Sequence, residues 1–290
     1  MHFVLLSALC SVLVSVLLKL ARPYQVDVPQ ALCSNYLAAS LLCALLLQPP
    51  LASLQQPGAP WPSLLMLAFV LPSLFLVLAH SVRTAGIVRT DVAQRLSLLL
   101  SLLAAFLWFG EQANPLKLAG LALGLLAVLG LLLRTRADQS VEPSSAAAWP
   151  ALLTVWGGFA LVDVLLKHIA AAGTPFGASL QLCFVLAFIG MALWQFWRVR
   201  RGQVKLSARS LGAGLLLGLI NFGNIIFYVS AHRALPGQPA VVFASMNIGV
   251  VLLGTLVGMT LFGERLSWIN RLAIVLALVS IAMIALSPRA

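Results

Sequence analysis

Charge is what this sequence has least of. Asp, Glu, Lys and Arg make up 9% of its 290 residues and hydrophobic residues 61%, whereas a soluble domain carries ~25% charged residues. That excludes a water-soluble globular fold, because most side chains have only lipid or other apolar helices to face. Acid is scarcer still: seven Asp and Glu stand against eighteen Lys and Arg, for a net charge of +11. The bases fall in short gaps between apolar runs, with no continuous basic face and no nucleic-acid motif, so nucleic acid is not an expected partner. Short basic membrane loops are the ordinary cause. Paired cysteines are missing too. Cys10, Cys33, Cys43 and Cys183 all lie inside apolar runs without a Cys-x-x-Cys pair or a Cys/His cluster, which argues against a metal site or a disulfide framework. No Gly-x-Ser-x-Gly, His-Glu-x-x-His or phosphate loop occurs, so neither an enzyme nor a cofactor is expected. Residues 2–21 lack the basic leader and small-residue cleavage site of a signal peptide and read as a retained span. No ten-residue alternating segments appear, which excludes a membrane β-barrel.

What remains is a series of runs near the ~20 apolar residues that a membrane helix needs. Ten are read, at 2–21, 29–48, 62–82, 87–109, 115–133, 149–171, 175–197, 210–231, 238–262 and 267–287. The breaks carry loop chemistry. "QPPLASLQQPGAPWP" (48–62) is rich in Pro and Gln, "RTRADQSVEPSSAAAWP" (134–150) is the longest polar stretch, and "RVRRGQVKLSAR" (198–209) is strongly basic.

Two short motifs recur. "SVLLKLA" (15–21) lies 148 positions before "DVLLKHIA" (163–170), and "FGE" at 109–111 lies 153 before "FGE" at 262–264. Two matches in the same order at nearly one offset describe a duplication. The units are 1–137 and 149–290, joined by a loop at 138–148. Five spans per unit is odd, so the second unit must enter the bilayer from the opposite side. The expected fold is an all-α integral membrane protein of ten transmembrane helices in two inverted five-helix repeats, a common build of secondary transporters.

The pattern of apolar helix, FGE, short polar turn and Gly-rich apolar helix runs "FLWFGEQANPLKLAGLALGLLAVLGLLL" (106–133) in the first half. In the second it runs "LFGERLSWINRLAIVLALVSIAMIAL" (261–286). With the span count and the duplication, it resembles the EamA-like branch of the drug/metabolite transporter superfamily. The resemblance implies alternating-access transport of small organic solutes, through a cavity lined mainly by the third, fourth, eighth and ninth spans. Related small multidrug pumps carry an essential glutamate midway along their first helix. Here that region holds only Ser7, Ser11 and Ser15, so their proton-coupled mechanism is not carried over.

Polar groups at membrane depth are costly and face an interior or a wet cavity. In "IVRTDVAQRLSLLLS" (87–101), Asp91 and Arg95 are four apart and can pair on one face. Thr90, Gln94, Ser97 and Ser101 form an adjacent stripe. That helix reads as a cavity wall offering a cation and an anion to a zwitterionic solute, the alternative being a salt bridge that only fixes packing. In "NFGNIIFYVSAH" (221–232), Asn221, Asn224, Tyr228 and His232 share a face. The third span adds Ser73 beside the kinking Pro72, and the ninth adds Asn247 among close-packing glycines. Asp163, four residues before Lys167, reads first as half of a structural pair, since the ammonium opposes proton uptake, and His232 as a solvated interfacial group; the alternative for each is a coupling group for protons. Ser7, Ser11, Ser15 and Lys19 make a stripe of four-residue steps. Lys19 and Lys167 are expected to snorkel at opposite interfaces. Glu111 and Glu264 are expected to accept from the N–H groups opening the next helix.

The expected substrate site is therefore Asp91, Gln94, Arg95, Asn221, Asn224, Tyr228, Ser73 and Asn247, for a small polar or zwitterionic, amino-acid-like metabolite. The chain is expected in a plasma or inner membrane, as monomer or homodimer. A lipophilic-cation or drug exporter would want an unpaired acid ringed by aromatics, and a non-transporting scaffold or receptor would have a dry centre. Odd-numbered loops hold thirteen of the eighteen Lys and Arg, and even-numbered loops with the C-terminus hold four. The positive-inside rule then puts both termini outside, whereas the resemblance implies both inside.

Overall fold

The structure, a computed structural model, describes residues 2–56, 58–97, 99, 100, 103, 115–132, 145–234 and 239–286. Ten α-helices are found among them, and no strand. They are α1 (His2–Leu20), α2 (Val28–Leu47), α3 (Trp61–Thr84), α4 (Ile87–Arg95), α5 (Pro115–Leu132), α6 (Ser145–Ala171), α7 (Phe176–Arg200), α8 (Ala208–Ala234), α9 (Pro239–Leu261) and α10 (Trp268–Leu286). Each falls on one of the ten apolar runs. Six are long and apolar enough to cross a bilayer: α1, α2, α3, α6, α7 and α8.

The side chains are arranged for lipid. Large apolar groups point outward, among them Leu5, Phe69, Leu193 and Trp268, while Ser7, Gln30, Asn35, Ser81, Thr90 and Asp91 are buried. In water that distribution would be unstable. In hydrocarbon it is the favourable one, because Ser7, Gln30, Ser81, Thr90 and Asp91 find partners inside and the exterior needs none. At the end of α7 the guanidinium groups of Arg198 and Arg201 lie 5.5 and 5.4 Å from the Trp194 and Trp197 rings, the aromatic and basic pairing of a membrane interface.

Local chemistry sets the helix ends. Asp27 caps α2, its carboxylate accepting from the Gln30 N–H (3.0 Å), with Pro29 in the first turn. The same carboxylate takes both amino groups of Arg198 at 2.9 Å, tying the α1–α2 turn to the end of α7. Helix α6 begins at Ser145, inside the segment read as a loop, and continues through Pro150. Ala146, Ala147 and Ala148 favour helix there, and Pro150 lies close enough to the start for few backbone bonds to be lost.

Packing follows the small residues. A Cβ on Gly214 would stand 2.0 Å from the Ala31 carbonyl oxygen, and one on Gly218 2.6 Å from that of Asn35. Helix α8 thus lies directly against α2. The principal pairings are α5 with α10, α2 with α8, α1 with α8, α2 with α7, α3 with α6, α1 with α9, α3 with α7, α9 with α10, α4 with α9 and α4 with α6.

Helix α4 breaks where the sequence reads as continuous. After Arg95 the chain tightens. Leu96 adopts φ −75°, ψ −4°, and the Leu99 N–H donates to the Leu96 carbonyl (3.0 Å), a 3₁₀-type step. The Leu96 carbonyl also takes the indole N–H of Trp156 on α6 at 2.9 Å. A side-chain donor from a neighbouring helix is what allows a break at membrane depth.

Candidate functional site

The break in α4 opens onto a cavity of about 230 Å³, lined by Gln94, Arg95, Ser97, Phe159, Asp163, Phe176, Asn224, Ile225, Tyr228, Met246 and Asn247. Helices α4, α6, α7, α8 and α9 all contribute. A cation and an acid (Arg95 and Asp163) face it with three side-chain amides and three aromatic rings.

Three of these groups are fixed from behind. One terminal nitrogen of Arg95 donates to the Ser11 hydroxyl at 2.6 Å, and the other donates to the Asn247 side-chain oxygen at 3.4 Å. Asn224 accepts from Ser7 at its side-chain oxygen (2.6 Å) and at its carbonyl (3.1 Å). A guanidinium held at both hands keeps its plane and position while its charge stays available. Tyr228 is set by His232. The imidazole edge packs on its ring at 4.5 Å, and the Nδ1–H donates to the Tyr228 carbonyl at 3.0 Å.

Of the ten residues expected at the site, the cavity gathers Gln94, Arg95, Asn224, Tyr228, Asn247 and Asp163. Four lie elsewhere. Asp91 is 1% exposed and one turn below the cavity. Its Oδ1 accepts from Ser15 at 2.9 Å, and its Oδ2 faces Gly254, where a Cβ would stand 2.4 Å away. The partners of Asp91 and Arg95 are thus the serines of α1, in place of the direct pair that their spacing allows. Asn221 is half-buried one turn before the cavity, and His232 is one turn past it. The Ser73 hydroxyl donates back to the Phe69 carbonyl at 2.9 Å and borders an outward groove with Phe69, Pro72 and Leu76. The third helix supplies no wall among the described residues, because its only polar group midway along is satisfied within its own turn. Helices α6 and α7 take that place.

Sequence reasoning missed Phe159, Phe176, Ile225 and Met246, which nothing distinguishes from other apolar positions in a membrane helix. It also gave α1 no role at the site. The four-residue spacing of Ser7, Ser11, Ser15 and Lys19 was the available clue, and each member meets a different polar partner. Lys19 does not snorkel: it pairs with Glu264 and lies 4.4 Å from the Phe262 ring centre. Glu264 does accept from the N–H groups opening a helix, but the helix is α4, at Ile87 (2.7 Å) and Val88 (3.2 Å). Glu111 and Ser101 lie outside the described residues.

The sequence profile of the EamA-like transporter family matches residues 1–133. An uncharacterized protein of Haemophilus influenzae is 39% identical over 286 residues, covering 97% of this chain and 96% of the relative. An uncharacterized protein of Pseudomonas aeruginosa is 32% identical over 176 residues, covering 56% and 57%. A crystal structure of a protein at 19% identity has a TM-score of 0.59, covering 97% of this chain and 96% of its own, so the fold is one already seen in a solved protein.

Proposed function

Because this chain belongs to the EamA-like transporter family of the drug/metabolite transporter superfamily, we propose that it is a secondary transporter working by alternating access. It carries a small zwitterionic, amino-acid-like metabolite across the membrane. The observation that carries this reading is the cavity itself. Arg95 offers a fixed cation for a carboxylate, Asp163 an acid for an ammonium, and Phe159, Phe176 and Tyr228 apolar faces for the rest. A break in α4 beside these groups fits the discontinuous helices around which transporter sites form.

The proposed architecture is ten spans in two inverted halves, 1–137 and 149–290. The packing supports it. If α1 corresponds to α6, α2 to α7, and so on, the contact of α1 with α8 maps onto that of α3 with α6. In the same way α1 with α9 maps onto α4 with α6, and α2 with α8 onto α3 with α7. Contacts of α2 with α7, α4 with α9 and α5 with α10 map onto themselves, as a two-fold axis in the membrane plane requires. Size disfavours a drug exporter, since about 230 Å³ is below the ~300–1,000 Å³ of sites for drug-sized ligands. The proposed place is a cell membrane, with the proton as candidate coupling ion at Asp163.

A thermal-stability screen of the purified protein against zwitterionic metabolites, followed by uptake into proteoliposomes, tests the reading. Arg95→Met should abolish uptake of the stabilising solute, and Asn224→Ala and Asn247→Ala should each weaken it. Wild-type uptake through all three would move the site elsewhere.

A further inference from the structure

The cavity reaches the end of the bundle where α7 begins, since Phe176, its first residue, is part of the lining. The opposite end is closed differently. There Lys19 of α1 pairs with Glu264 of the α9–α10 turn, joining the first copy of VLLK to the second copy of FGE. Glu264 also caps α4 through the N–H groups of Ile87 and Val88. Three elements from both halves thus meet at one carboxylate. The backbone is shaped around it. Gly86 has φ +88°, and a Cβ there would stand 2.8 Å from Glu264 Oε2; one on Gly258 would stand 3.0 Å from the same oxygen.

Between this node and the cavity lie buried Val12, Val88, Val92 and Val250 and the Ser15–Asp91 bond. From Asn247 in the cavity to Leu261 beside the node is fourteen residues of α9, or ~20 Å of helix. Helix α4, ~13 Å long, runs from the node toward the cavity. Its first turn is held by Glu264 and its last residue is Arg95. A carboxylate–lysine pair that remains partly exposed costs on the order of 1 kcal/mol to part, so it can part and re-form. A fully buried pair could not do so easily.

We propose that the Lys19–Glu264 pair and the α4 turn it caps are the gate that closes the cavity from the side bearing the α1–α2 turn. Parting the pair frees the start of α4, and α4 carries that release to Arg95. The proposal rests on the transporter reading, and its test needs no substrate.

The test uses full-length protein in sealed vesicles with the four native cysteines replaced. A single reporter cysteine is placed in the cavity (Gln94→Cys), and a second set carries one on the exposed α1–α2 turn (Tyr24→Cys) to mark the side. The probe is a membrane-impermeant charged thiol reagent. With the gate intact, position 94 should label from the side opposite to position 24. Glu264→Gln, and separately Lys19→Met, should raise its labelling from the position-24 side by about tenfold, as expected on removing one charge-assisted bond. Lys19→Arg should restore the low rate. Joining the two sites through Lys19→Cys with Glu264→Cys should abolish labelling from that side, and reduction should restore it. This covers the case in which a neutralised variant fails to fold.

Labelling of position 94 in the intact protein as fast from the position-24 side as from the opposite side overturns the gate, as does labelling indifferent to all these variants. If position 94 labels from neither side in any variant, the centre is dry, and both the gate and the transporter reading fail.

Discussion

Arg95 shows how much of the site depends on one side chain being held in place. Its charge was legible in the sequence, but its partners were not. Spacing on α4 offered Asp91 as its counter-ion, yet Ser11, 84 residues earlier, takes the nearer hydrogen bond. Lysine would keep the charge and lose the two-handed grip on Ser11 and Asn247. Arg95→Lys should therefore raise KM for the transported solute by about tenfold or more, with kcat less affected, measured by initial uptake rates. Trp156 makes a comparable point about stability. Its indole N–H gives the Leu96 carbonyl a second donor, beside the Leu99 N–H, where α4 breaks. Trp156→Phe keeps most of the packing and leaves that carbonyl with the Leu99 N–H alone, and should destabilise the protein by about 0.5–1.5 kcal/mol in a thermal or denaturant unfolding assay.

For the helices, existence and rough position were legible because each is a local property of an apolar run long enough to span. The interruption at Leu96 was not. "QRLSLLL" reads as unbroken helix, and only the arrival of Trp156 makes the break affordable. The early start of α6 was missed for the opposite reason, because a polar stretch with Pro150 was read as loop although three alanines favour helix. Close packing was legible as glycine content but not as partnership. A Cβ on Gly218 would meet α2 at 2.6 Å, whereas one on Gly212, two turns away on the same helix, would meet nothing within 4 Å. Gly218→Leu should lower thermal stability in detergent by about 1–3 kcal/mol or more, while Gly212→Leu should leave it within about 0.5 kcal/mol.

Across the whole molecule, the four odd-numbered turns among the described residues gather at one end. Gln30 at the start of α2 donates to the Lys205 carbonyl at 2.8 Å, Arg209 donates to the Tyr24 carbonyl at 3.2 Å, and Glu264 reaches the start of α4. These are the turns that carry most of the Lys and Arg, so the basic excess becomes one face. The ten crossings proposed above require both termini on the same side, opposite this face, and the positive-inside rule then puts the basic face in the cytoplasm. Paired fusions of alkaline phosphatase and green fluorescent protein at each end should report both termini outside. Termini on opposite sides would break the ten-span architecture.

The sequence by itself determined the solvent, the run of helices and the helix faces that had to be polar. All of these follow from hydrophobic period and length, which are written locally in the chain. Only the tertiary structure decided which polar groups meet: Ser7 with Asn224, Ser15 with Asp91, Lys19 with Glu264, each pair 76 to 245 residues apart. A buried polar group requires some partner, and that much can be read from its neighbours in sequence. Which partner it finds depends on how whole helices cross, and no single stretch of sequence specifies a crossing.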